Sequence, residues 1–176
     1  MKRLLLTSGL TLGALALSIL AGPVPAQAAP PGAASTADVD AVVAAGEGIR
    51  IDARTLAASG CGSSCDGKDP YFKIYYNGNS YYKCSDDAQT IYGVKNSSGS
   101  VELRYSPRCR TAWAKTAASD VVFKVVSRYT NGNYRTSMSA YGPDGYTNMV
   151  NDAGLEAQAC FDPTGPGEGW TCTGWW

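Results

Sequence analysis

Between Asp69 and Val150 the chain is built of short runs rich in aromatic and β-branched residues, each closed by a cluster of Gly, Asn, Asp or Ser. Where apolar and polar positions alternate with a period of two, they predict strands half-buried on one face. Tyr71 to Tyr76 and Ser80 to Cys84 flank Asn77-Gly78-Asn79, and Thr90 to Lys95 and Val101 to Ser106 flank residues 96–99 (NSSG). Val121 to Tyr129 and Tyr134 to Tyr141 flank residues 130–133 (TNGN), after which a Gly-Pro-Asp-Gly turn leads into Tyr146 to Val150. Two-residue turns containing Asn-Gly join antiparallel strands. Runs this short, at this spacing, predict an all-β domain, a small antiparallel barrel or sandwich. Thr111 to Ser119 (TAWAKTAAS) reads as the one short helix of this region.

The N-terminal third has a different texture. Lys2 and Arg3 precede an apolar, small-residue run from Leu4 to Ala21, and Ala26-Gln27-Ala28 follows. That order predicts a secretory signal peptide at residues 1–28, cleaved after Ala28, and a secreted, extracellular protein with no membrane association afterwards. Residues 29–60 are Ala-, Gly- and Pro-rich and predict a flexible extension, with a helical turn around Asp38 to Ala45. Within it Ile49, Arg50, Ile51, Asp52, Ala53 and Arg54 alternate like a strand. Exposed ahead of the first cysteine, they are the candidate partner-binding segment, adding a strand to another protein's sheet. The domain proper is expected over residues 61–176.

Six cysteines in an exported chain predict a disulfide framework. Cys160 and Cys172 stand apart and close a local loop. A hairpin turning at Gly78 brings Cys84 towards Cys65, so Cys65–Cys84 and Cys61–Cys109 are the expected bridges, with the crossed pairing as their rival. The chain has no histidine, and its formal charge is +0. The first fact excludes Ser-His-Asp and Cys-His catalysis and His-ligated zinc. The second leaves no electrostatic footprint for nucleic acid. No glycine-rich phosphate loop is present, and residues 66–69 (DGKD) lack the oxygen-ligand spacing of a calcium loop. We therefore expect no cofactor and no metal.

A hydrolase would have to use paired carboxylates, with Glu102 and one of Asp66, Asp69, Asp86 or Asp87 as candidates. Turn and cap chemistry for the aspartates, and an arginine partner for Glu102, are the simpler reading. Trp170, Trp175 and Trp176 crowd a Gly-rich tail around Cys172. They are candidate ligand-stacking residues for a glycan, or they pack back on the domain.

The stretches CDGKDP (65–70) and VELRYSPRCRTAWAK (101–115) resemble the signature of a secreted actinobacterial domain family of unknown function, whose cysteine pattern fits Cys61, Cys65, Cys84 and Cys109. The similarity covers residues 61–115 and implies no catalytic residues. The layout of a loose leader, an amphipathic strand and a stapled domain is also similar to the small adaptor subunit of the umbrella toxin particles of streptomycetes. That likeness implies an adaptor between other secreted proteins in an extracellular antibacterial complex. The sequence thus leads us to expect a non-catalytic protein–protein interaction module, with a carbohydrate- or cell-wall-binding module or a carboxylate-dependent hydrolase as the alternatives.

Overall fold

The hairpins form where the turn residues set them. The computed structural model describes residues 36–163 and 169–176, so the signal-peptide expectation lies outside the described residues. In chain order the elements are α1 (Thr36–Ala44), β1 (Gly48–Arg50), α2 (Ala53–Ser59), β2 (Lys73–Tyr76), β3 (Ser80–Tyr82), β4 (Gln89–Asn96), β5 (Gly99–Ser106) and β6 (Thr111–Lys115). There follow β7 (Val122–Arg128), β8 (Tyr134–Tyr141), β9 (Val150–Asn151), β10 (Glu156–Asp162) and β11 (Thr171–Cys172). The expected hairpins β2–β3, β4–β5 and β7–β8 are all antiparallel. Three sheets result, in the orders β1-β2-β3, β4-β5-β6-β9 and β11-β10-β7-β8. The fold is all-β and sandwich-like and is stapled by three disulfides, with two short α-helices among the described residues.

Two cores share strand β6. Val101, Leu103, Ala112 and Ala114 from one four-stranded sheet meet Phe123, Val125, Ala157, Ala159 and Phe161 from the other. On the opposite side of β6, Trp113 joins Leu56, Ile74, Tyr82, Met149 and four cysteines in a second core. This double burial explains why residues 111–115 are a strand and not the expected helix. Alanine favours a helix, but Ala112, Trp113 and Ala114 are all at most 4% exposed, and pairing with β5 and β9 overrides that weak local preference. Tyr146 forms only an isolated bridge to Lys115, and the run expected there shortens to β9.

The N-terminal segment also differs from its expectation. From Thr36 on it is folded against the domain, because it carries apolar anchors at regular places. Val39 of α1 and Leu56 of α2 are buried, and Ile49 and Ile51 pack on the disulfide core. The expected strand at 49–54 is the shorter β1, which pairs in parallel with β2 of its own chain. It ends at Arg50, and two residues on the Asp52 carboxylate accepts a hydrogen bond from the Thr55 backbone N–H at 2.9 Å and so starts α2.

The disulfides correct the expected pairing. Cys160–Cys172 is present, but the others are Cys61–Cys65 and Cys84–Cys109, with Cα–Cα distances of 5.7 and 5.6 Å. The premise that Cys84 approaches Cys65 holds, since the sulfurs of Cys61, Cys65 and Cys84 lie within 4.8 Å of one another. A tight 3₁₀ turn over Gly62–Cys65 folds Cys65 back on Cys61. The connection from β5 to β6 then brings Cys109 to Cys84. Among the described residues no helix is long and apolar enough to cross a membrane.

Candidate interaction site

A groove of about 320 Å³ lies between α2 and the turn from Pro107 to Arg110. Helix α2 is short and held at both ends. Two hydrogen bonds from Thr55 keep the Asp52 carboxyl below its ordinary range. At the other end Gly60 donates its N–H to Leu56 O at 2.9 Å. Gly60 has φ +66°, and a Cβ there would lie 2.0 Å from the Cys109 carbonyl oxygen, so only glycine admits this approach. Its neighbour Cys61 donates to that same carbonyl at 3.0 Å. With Leu56 buried beneath, Ala53 and Ala57 line the groove beside Tyr76.

The opposite wall is set by Asp87. Its carboxylate accepts from the Ser106 hydroxyl at 2.5 Å and from the Arg108 backbone N–H at 2.9 Å, while Ser106 Oγ accepts from Cys109 N–H at 3.0 Å. The guanidinium of Arg108 lies 3.9 Å from the Tyr82 ring centre and 4.7 Å from that of Tyr76. Burial pushes the Tyr82 phenol well above its ordinary range, so it stays neutral beneath the cation. Arg110 sits at φ +54° and donates through Nη1 to Ala58 O at 3.2 Å.

Two further hollows adjoin the segment expected to bind a partner, and Arg50, Ile51 and Asp52 line both. Ile49 is half-buried, Arg54 is exposed and Ala53 faces the groove. Arg50 pairs with Asp40 of α1 at 2.5 Å and reaches Gly78 O at 3.4 Å. Ile51 N–H donates to Tyr75 O. By strand alternation the backbone of Arg50 therefore points away from β2, at the sheet's edge. An added strand would find only this short edge; the side-chain groove offers more surface.

Each candidate carboxylate has a local partner. Asp66 is doubly bonded to the Arg135 guanidinium and accepts from Asn151 N–H. Asp69 caps Tyr71 N–H at 2.7 Å and meets the Tyr146 hydroxyl at 3.3 Å. Asp86 accepts from Lys83 N–H at 2.9 Å. Glu102 accepts from the Thr90 hydroxyl at 3.0 Å and stands 3.7 Å from Arg104.

The tryptophans fall into two groups. Trp176 exchanges both backbone hydrogen bonds with Ala157, and its ring meets Tyr92 and Tyr105 edge-on or tilted, at 6.2 Å each. Trp170 and Trp175 instead lie against cations of β7, with Lys124 at 3.6 Å and Arg128 at 3.8 Å. Arg108, Arg110, Leu56 and Tyr76 had no functional role in the sequence reading. The signal was present in the two arginines flanking Cys109, inside the stretch already singled out as a signature.

A family model described as "Protein of unknown function (DUF2690)" matches residues 63–160, from the turn after α2 to within β10. No curated protein and no solved structure matches the chain.

Proposed function

We propose, for a chain that belongs to the DUF2690 family of unknown function, that it is a secreted, non-catalytic protein–protein interaction module. The observation that supports this most is the groove between α2 and Arg108, walled by guanidiniums and floored by apolar side chains. Interface hot spots cluster in well-packed pockets that a partner's anchor side chains fill. The docking surface is then the folded face that residues 50–57 make with Arg108, in place of a loose extension. Three staples suit an extracellular scaffold. The likeness of layout to an adaptor subunit extends the proposal to a role in an extracellular antibacterial toxin complex.

The experiment is affinity capture of the tagged protein from culture supernatant, with Ala57→Glu run in parallel. A partner identified by mass spectrometry with the wild type, and lost with the variant, supports the reading. A chain that elutes alone under all conditions contradicts it.

A second reading draws on Trp170 and Trp175, which cations hold on the outward face of the β7-containing sheet. Such rings stack on sugars. Retention on insoluble peptidoglycan that disappears in Trp170→Ala or Trp175→Ala would favour a cell-wall-binding module.

A further inference from the structure

We infer that the groove beside α2 recognises an apolar side chain flanked by carboxylates, that is, an acidic and apolar segment of a partner protein. The inference rests on the reading of the chain as an interaction module and names the chemistry of what it binds.

The floor is Ala53, Leu56, Ala57 and Tyr76, and the volume of about 320 Å³ suits one large apolar side chain with its adjoining backbone. Among the residues lining it none is acidic, while Arg108 and Arg110 both are cations. Neither forms any of the four carboxylate ion pairs found among the described residues. Asp87, bonded to the same turn, is spent on the Ser106 hydroxyl and the Arg108 backbone N–H. The carboxyl of buried Asp152 attracts Arg110 without forming an ion pair with it.

Both guanidiniums are positioned before any ligand arrives. Arg108 is held against Tyr76 and Tyr82, with its guanidinium carbon 4.7 and 3.9 Å from the two ring centres. Arg110 donates to Ala58 O and hydrogen-bonds the Tyr105 hydroxyl, and of its five N–H donors others remain. A planar fork held in this way matches a carboxylate in two hydrogen bonds and loses little side-chain freedom on doing so. A purely anionic ligand would leave the apolar floor uncovered, and a purely apolar one would bury two charges without a partner. A segment carrying both satisfies the site.

The test is a titration of ¹⁵N-labelled, oxidised protein at pH 7.5 with acetyl-Gly-Asp-Leu-Asp-Gly-amide. Acetyl-Gly-Asn-Leu-Asn-Gly-amide and sodium phosphate serve as comparisons. The acidic peptide should move the amides of Ala57, Asn77, Arg108 and Arg110 and bind at least about tenfold more tightly than the Asn analogue, a difference of about 1.4 kcal/mol. Arg108→Gln should remove that preference. So should Ala57→Glu, which places an acid on an exposed helical position without disturbing the core. Equal affinity for the two peptides, no binding of either, or identical shifts from phosphate alone would overturn the inference. Capture of a secreted partner that survives Ala57→Glu would sink the groove while leaving the interaction module standing.

Discussion

Asp152→Asn should make the protein more stable above neutral pH and leave it nearly unchanged in acid. Asp152 is 8% exposed, and its Oδ1 has no hydrogen-bond partner. Burial pushes its carboxyl from an ordinary 3.8 up to about 7, against the pull of Arg110 and with the help of Glu156. In the unfolded chain the group loses its proton near 3.8, whereas in the fold it keeps it until about 7. Between these values the folded state binds more protons, so stability falls as pH rises, and the loss is complete above about 7. At 1.36 kcal/mol per pH unit, the interval from 3.8 to about 7 caps that loss at about 4 kcal/mol. Relaxation and water penetration lower it, to roughly 1–4 kcal/mol. Asparagine has no charge to desolvate. In calorimetry of the oxidised protein at pH 4, 6 and 8, the variant should therefore match the wild type at pH 4. By pH 8 it should melt roughly 3–12 °C higher, at the usual few degrees per kcal/mol for a domain of this size. A variant no more stable at pH 8, or a difference that does not grow between pH 4 and 7, would refute the reasoning.

Four further variants probe the frame around the groove and the tail. Replacing both Cys84 and Cys109 by Ser opens a loop with sequence separation 25 and should cost about 3.5 kcal/mol in denaturant unfolding, whereas the Cys61/Cys65 double replacement, with separation 4, should cost about 2. A non-reduced peptide map linking Cys65 to Cys84 would contradict that ranking. Gly60→Ala meets the Cys109 carbonyl at 2.0 Å in a left-handed conformation, so it should cost more than the roughly 1–3 kcal/mol of backbone strain alone and loosen α2, seen as faster amide exchange at Leu56. Trp176→Ala removes two ring contacts, with Tyr92 and Tyr105, and should cost about 1–2 kcal/mol by chemical denaturation while leaving the signals of Ala57 and Arg108 in place.

The β-hairpins were legible because Asn-Gly and Gly-rich turns combine with aromatic and β-branched flanks, and both signals are local. Strand β6 was not, since TAWAK carries helix-favouring alanines and only the burial of both its faces makes it extended. Strand β10 was missed for a related reason. Its inward positions Ala157 and Ala159 are small, and Glu156 and Gln158 between them have low strand preference. The bridges show where sequence spacing stops being informative. Cys84 does come near Cys65, but with three sulfurs within 4.8 Å the choice of partner depends on the turn at Gly62–Cys65. The groove is likewise a tertiary product, since Leu56 and Arg108 are distant in the chain and meet only because Gly60 lets α2 close on Cys109.

The claim that the chain is an interaction module docking through the α2 groove is tested most directly by mapping a partner's footprint. The secreted protein that co-purifies with the wild type would be added, unlabelled, to the ¹⁵N-labelled chain, and cross-saturation measured at each backbone amide. The account predicts attenuation centred on Ala53, Ala57, Asn77, Arg108 and Arg110. Attenuation confined to the outward face of β7 and the tail, around Lys124, Arg128 and Trp175, with the groove amides untouched, would contradict it.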